Sequence, residues 1–352
     1  MNRKMYQIVE LSETLMHAGS KATSDVTEIL SQIGVESLEI MTIPGSKNPI
    51  RKVARQLSYL NQWKRVCQKI DSESILFLQN PFYHNQFGRF TQLMNLKKNK
   101  NIKVISLVHD VSELRGSFDS KYFEIEFSQM LELADVLIVH NENMKKWFIE
   151  YGVSEDRLIV LEIFDYLTDK PLAVASSLEK VVTVAGNLSK EKSPFVYKLH
   201  QLPDLDVNLY GVNYEKEIIS DNISYKGAFP SDQVPYELNA GFGLVWDGDS
   251  LDTCSGSTGN YLRFNNPHKL SLYLASGIPV IMWADSAEAN FVIENNVGFV
   301  VTSLSEINGI LDSLTLEDYL EYQNNAIYIG HRLQEGYYTK NTIDSILAII
   351  DK

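Results

Sequence analysis

The sequence predicts an α/β protein made of two doubly wound, Rossmann-like halves. Three observations carry that expectation. Short, nearly continuous apolar runs such as ILFL (75–78), VISLV (104–108) and VLIV (136–139) suit strands buried on both faces of a parallel sheet. Longer helix-period segments separate them, which implies right-handed βαβ crossovers. The alternation stops at residues 165–180 and then restarts.

In order, strand patterns fall at residues 6–11, 37–43, 74–78, 103–109, 136–140 and 158–161, with helical patterns at 23–33, 52–70, 87–98, 120–134 and 143–151. Residues 165–180 hold a proline, small residues and unpatterned charge, and read as a linker. Beyond it, strands are predicted at 181–185, 207–210, 223–226, 243–246, 279–282 and 298–301. Helices are predicted at 193–201, 233–240, 267–276, 287–295 and 304–314, and the rest, 316–352, is helical and rich in Tyr and Leu. Two such halves leave a cleft outside the carboxyl ends of their strands, where open α/β sheets bind ligands.

At 352 residues the chain is long enough for two domains with full cores. It carries 32 basic and 45 acidic residues, net −13. Nucleic acid is therefore excluded as the main partner, while a local cradle for one small anion is not. Cys67 and Cys254 are the two cysteines, in no disulfide framework or metal-ligand spacing, which points to a reducing compartment. No run of ~18 apolar residues occurs. Residues 1–10 enter a strand-like run with no leader pattern, so a cytoplasmic location is expected.

Four segments could carry chemistry. Gly186-Asn187 ends a predicted strand, where glycine admits close backbone approach and a following helix N-terminus suits an anion; Lys190 could add charge. An ordinary βα turn explains Gly-Asn equally well. In Asn266-Pro267-His268-Lys269-Leu270, Asn266 suits a helix N-cap and Pro267 the first turn. A lysine there opposes the helix dipole, which makes sense if an anion sits beside Lys269. Gly277 suits the helix end before Ile278-Pro279-Val280-Ile281. Third, His109 and Asp110 end a buried strand and should face the cleft, with Glu113 and Arg115 following. Asp110, His109 or Glu113 could serve as a general base. Alternatively, Asp110 is a cap and His109 an interior side chain. Fourth, Gly19-Ser20-Lys21 lies between the first strand and first helix, a loop for an anion or acceptor, or simply a helix start.

No metal set is indicated. The seven histidines are scattered, and Asp204-Leu205-Asp206 precedes a strand. Asp247-Gly248-Asp249 follows one and suits sugar hydroxyls or a plain turn.

The run Asn-Pro-His-Lys-Leu-Ser-Leu-Tyr-Leu-Ala-Ser-Gly-Ile-Pro-Val-Ile, 266–281, resembles the donor-site helix of GT-B glycosyltransferases. It is similar to that of the bacterial glucosyltransferases that extend O-linked GlcNAc on serine-rich-repeat adhesins, and to the related galactofuranosyltransferase family. Glu13-Thr14, His17 to Ala22, His109 to Arg115 and Glu294 to Val300 fit the same group in order. The resemblance implies a GT-B fold: an acceptor domain at 1–168, a nucleotide-sugar domain at 178–330, and a terminal helix at 331–352 crossing back to the first.

It also implies a UDP-sugar co-substrate and no other cofactor. Gly186 and Asn187 would line diphosphate or ribose. Tyr210 and Gly211 would sit near uracil, with Phe229 against the base, though core packing is the plainer reading of either aromatic. Asn266, His268, Lys269 and Leu270 would hold diphosphate and ribose. The implied reaction moves a hexose, glucose first, onto a sugar-bearing acceptor such as GlcNAc on a glycoprotein or a surface-polysaccharide precursor, by metal-independent direct displacement. The alternatives are a UDP-galactofuranose-dependent transferase and a non-catalytic glycan-binding partner of a true transferase. Between Pro279 and Gly298 the acids are Asp285, Glu288 and Glu294, which do not form the Glu-x7-Glu of many retaining members. Self-association through the C-terminal helices is expected, and a peripheral membrane contact is compatible.

Overall fold

The computed structural model describes residues 3–11, 21–116, 121–175, 177–215, 220–239 and 241–350. Gly19 and Ser20 of the expected anion or acceptor loop, with Glu13, Thr14 and His17, lie outside them.

The first half contains β1 (Met5–Leu11), β2 (Glu36–Met41), β3 (Ile75–Asn80), β4 (Lys103–Val108), β5 (Val136–Val139) and β6 (Leu158–Val160). They form one sheet in the order β2-β1-β3-β4-β5-β6, paired in parallel throughout. Around it lie α1 (Lys21–Gln32), α2 (Pro49–Lys69), α3 (Arg89–Lys100), α4 (Ser112–Arg115), α5 (Lys121–Leu133) and α6 (Glu142–Tyr151). The strands are nearly all buried because both faces are covered. Tyr59, Trp63 and Leu93 close one face, and Val26, Leu30, Ile343 and Ile346 the other.

The second half contains β7 (Val181–Asn187), β8 (Asp206–Val212), β9 (Ile223–Gly227), β10 (Phe242–Val245), β11 (Val280–Trp283) and β12 (Gly298–Val301). Their order, β9-β8-β7-β10-β11-β12, is that of a dinucleotide-binding sheet, with its crossover switch between β7 and β10. The helices are α7 (Val234–Glu237), α8 (Gly256–Tyr261), α9 (His268–Ala275), α10 (Ala289–Glu294), α11 (Ile307–Ser313), α12 (Leu316–Gln334) and α13 (Tyr337–Ile350). Both sheets belong to the GT-B architecture.

Several expectations need correction. Helix α2 starts at Pro49, not 52, because Asn48 caps it: its Oδ1 accepts from the amides of Ile50 and Arg51 at 2.9 and 3.3 Å. Asn-Pro at N-cap and N1 is a readable start signal. Residues 194–201 form 3₁₀ turns, and the expected helix at 233–240 is the single turn α7. Short α8 was not expected.

The segment after 163 is a buried seam. Ile163, Phe164, Asp165 and Tyr166 are all buried. Two of its charges, Asp165 and Lys170, turn inward to backbone groups. The Asp165 carboxylate accepts from the amides of Tyr338 and Thr339 at 3.1 and 2.7 Å, starting α13. Lys170 Nζ donates to the carbonyls of Leu238 and Ser276, the latter at 3.1 Å. These bonds tie the segment to the second half, and α13 packs on α1 and β6 of the first.

Candidate active site between the two sheets

The β7/β10 switch point is where α9 delivers its lysine. Helix α9 is buried on every side through Leu270–Ala275. It can lie close to the sheet because residue 243 is glycine: a Cβ there would stand 2.1 Å from Tyr273 Cγ. The Tyr273 hydroxyl accepts from the Ala185 amide at 2.8 Å, pinning the helix next to Gly186. Lys269 then reaches over the strand ends. Its Nζ donates to Asp247 Oδ1 at 2.8 Å and to the Trp246 carbonyl at 3.3 Å. A Cβ on Gly186, which has φ +135, would lie 3.6 Å from Lys269 Cε. Asp247 thus offsets an ammonium that the α9 dipole disfavours. Asp249 bonds Ser255, and Gly248 is required by the turn: a Cβ there would meet the Ser255 carbonyl at 2.3 Å.

Asn187 Oδ1 accepts from the Ser189 amide at 3.1 Å and from Asn213 Nδ2 at 3.2 Å. Gly211 has a packing reason to be glycine, since a Cβ would fall 1.7 Å from the Gly186 carbonyl. Half-buried Tyr210 and Phe229 pair at 6.4 Å between ring centroids, at the same end of the sheet. Lys190 is paired with Glu215 at 3.2 Å.

The Asn265–His268 run differs from expectation. Pro267, with ψ 123, is the N-cap, and His268 is the first helical residue. Asn266 does not cap. Its Nδ2 donates across the domain boundary to the Glu162 carbonyl at 2.8 Å, and its amide donates to His140 Nδ1 at 2.9 Å. Proline supplies the extended turn into the helix, which frees Asn266 to join the two halves. Asn265 Oδ1, Asn266 Oδ1 and His268 Nε2 are buried without a hydrogen-bond partner among the described residues. These three orphaned polar atoms fall within four residues at the entry to α9.

Three histidines converge on the Phe164 ring, His109 and His140 from the first half and His268 from the second. His109 stacks on it at 5.3 Å and 9°, His140 meets it edge-on at 5.1 Å, and His268 at 6.4 Å. Burial depresses all three, to about 3 for His109 and about 4 for His140 and His268. All three are neutral at pH 7. His140 donates from Nε2 to the Val108 carbonyl at 2.9 Å because Nδ1 accepts from Asn266. His109 Nε2 bonds Gln79 Oε1 at 2.7 Å.

Asp110 does not cap α4, whose N-cap is Val111. Its Oδ2 accepts from the Tyr83 hydroxyl at 2.9 Å and from Arg115 Nη1 at 2.8 Å. The next residue crosses the cleft: the Val111 amide donates to the Tyr261 hydroxyl at 3.0 Å. Glu113 is exposed, and partial burial raises its pKa. Lys21 donates to Asp25 and, at 2.7 Å, to the Leu167 carbonyl, 4.9 Å from the Tyr166 ring centroid. Tyr166 in turn lies 5.0 Å from His268.

Sequence reasoning missed His140, Phe164 and Glu288. His140 stood at a strand end as His109 did, a signal that was available. Glu288 is buried, accepts from Asn141 Nδ2 at 2.9 Å, and is raised by burial to about 8. Among the described residues no three or more His, Cys, Asp or Glu side chains gather as a metal set.

Known proteins can be set beside this geometry. Residues 5–163 match the N-terminal domain and 182–346 the C-terminal domain of the glucosyltransferase 3-like family. The chain is 33% identical to the β-1,6-galactofuranosyltransferase WbbI of Escherichia coli (strain K12), over 97% of this chain and 98% of that protein. It is 26% identical to glucosyltransferase 3 of Streptococcus gordonii, over 94% of each. Among solved structures, Anabaena HepE in complex with UDP-glucose aligns with TM-score 0.63 at 11% identity, over 98% of this chain and 100% of that one. An α-glucosyltransferase in complex with UDP aligns with TM-score 0.62 at 13% identity, over 99% and 100%. With both halves matched in order, and a relative one-third identical end to end, the chain belongs to the glucosyltransferase 3-like family of glycosyltransferases.

Proposed function

We propose that this glycosyltransferase moves a hexosyl group from a UDP-sugar to a hydroxyl of a sugar-bearing acceptor. The observation that carries the reading is Lys269 over the β7/β10 switch point, beside Gly186 and the orphaned polar atoms of Asn265–His268. In this reading the diphosphate lies against Lys269 and the start of α9, the ribose against Asn266 and His268, and the base beside Tyr210 and Phe229. Leu270 is fully buried and supports the helix rather than the ligand.

The acceptor hydroxyl attacks C1 of the donor as the bond from C1 to the diphosphate oxygen breaks. UDP leaves with the bonding pair, and Lys269 stabilises the charge that develops there. The acceptor proton passes to a base on the first domain. Asp110 is best placed: Tyr83 and Arg115 hold its carboxylate in one orientation. His109 is neutral and a weak base when buried, with its ring committed to Gln79 and Phe164, and is the less favoured base. Glu113 is the alternative base. The sequence resemblance put glucose first as the donor sugar. The greater identity to the galactofuranosyltransferase, 33% against 26%, favours galactofuranose.

The test is release of UDP from UDP-glucose, UDP-galactose, UDP-N-acetylglucosamine and UDP-galactofuranose without acceptor, beside thermal shifts with UDP, GDP, ADP and TDP. Turnover confined to UDP-galactofuranose and a UDP-selective shift are expected. A shift with no nucleotide would overturn the assignment of the cleft.

A further inference from the structure

We propose that the first domain docks on an anionic lipid bilayer through the projecting end of α2. Gln62 is level with the last residue of β2, since its side chain bonds the Met41 amide at 2.8 Å and the Met41 carbonyl at 3.3 Å. The stretch from Gln62 back to Pro49 therefore runs about 20 Å past the carboxyl edge of the sheet. Its first turns bury nothing, and residues 49–54 are all exposed. The exposed side chains include Ile50, Val53 and Leu57, 78%, 61% and 52% accessible. Their i, i+3, i+7 spacing puts them on one face. Phe87, 57% accessible, joins them: its amide donates to Gln56 Oε1 at 2.8 Å, and Gln56 Nε2 donates to the Asn85 carbonyl at 3.0 Å.

Along α2 and the turn before it the charge is of one sign: residues 41–70 contain seven Lys or Arg and no Asp or Glu, in a chain of net −13. Lys47, Arg51 and Lys52, at the projecting end, are exposed. An apolar stripe flanked by exposed cations is the pattern of a helix lying in the headgroup region, and its charge complements anionic lipid. Among the described residues no helix is long and apolar enough to cross a membrane, so the contact would be peripheral. The tip lies at the strand-end side of the domain, the side that also holds Asp110. A docked enzyme would thus meet an acceptor held at the bilayer surface. The surface is argued from α2 alone and goes beyond the reaction proposed above.

The test is co-sedimentation of the full chain with phosphatidylcholine vesicles, with and without phosphatidylglycerol, across a salt series. Expected is binding to the phosphatidylglycerol vesicles alone, falling with salt. The pair Arg51→Ala and Lys52→Ala should weaken it by about fivefold per charge. A second variant, Ile50→Ser with Val53→Ser and Leu57→Ser, should weaken it at least as much. All five positions are exposed, and an unchanged circular dichroism spectrum and Tm check the fold. No binding by the wild type, or binding by both variants equal to the wild type, would overturn the proposal. So would loss of self-association in the variants with no vesicle binding by the wild type, which assigns the face to a second copy. No sugar chemistry enters the assay, so its failure leaves the donor reading standing, and the reverse also holds.

Discussion

Lys269 holds Asp247, and the proposed reaction has it exchange that partner for the donor diphosphate. Lys269→Ala is expected to lower kcat/KM by roughly 10²-fold or more, as for other single donors at a developing charge. Calorimetry with UDP should show weakened binding. Unchanged UDP affinity would separate this lysine from the diphosphate. Asp110→Asn should lower kcat by roughly 10²- to 10⁴-fold with little change in UDP affinity. If Glu113→Gln produces that pattern instead, Glu113 is the base. Glu288 offers a test by pH. Its carboxyl holds a proton to about 8 when folded, against 4.5 ordinarily. Burial therefore costs stability once the group must ionise: nothing below the lower value, and fully above the upper one. Tm should fall as pH rises from about 4.5 to about 8 and level off beyond, and Glu288→Gln should flatten that fall. Glu10, raised to about 7 by burial, acts in the same direction at slightly lower pH.

At the scale of elements, α9 is positioned by one glycine under one tyrosine. Gly243→Ala places a methyl carbon where the Tyr273 ring stands. The helix must then shift or the ring turn, at a cost of about 1–3 kcal/mol. Because Tyr273 also holds the Ala185 amide, UDP affinity should fall along with Tm. A lower Tm with intact UDP affinity would show that α9 is not what places Lys269. The start of α2 illustrates the opposite case: Asn48-Pro49 sets it locally, with no tertiary contact needed.

For the whole molecule, the seam at 163–170 and the return of α13 make the halves interdependent. Ile343 and Ile346 pack with Val26, Leu30, Ile105 and Leu107 of the first domain, although they come from the chain end. Truncation after Glu335 should uncover that surface and split thermal unfolding into two calorimetric transitions, the first domain melting first. One cooperative transition at the original temperature would show that α13 adds little.

The alternation of strand and helix was legible because parallel strands buried on both faces must be continuously apolar, as in ILFL and VLIV. Lys269 was legible because a lysine in the first turn of a helix opposes its dipole and needs an explanation. Periodicity carries no information about partners far along the chain, which is why other features escaped. Asp165 and Lys170 read as part of a linker, and only the fold brings the start of α13 to the one and the end of α9 to the other. Asn266 has the chemistry of a cap, but Pro267 started the helix and the Glu162 carbonyl lay within reach. His109, His140 and His268 come from three separate segments. The sequence by itself determined two parallel sheets and a lysine in the first turn of a helix. The tertiary structure decided which histidines share Phe164, which acid Lys269 holds, and how the two halves are joined, because hydrogen bonds and desolvation act on neighbours in space.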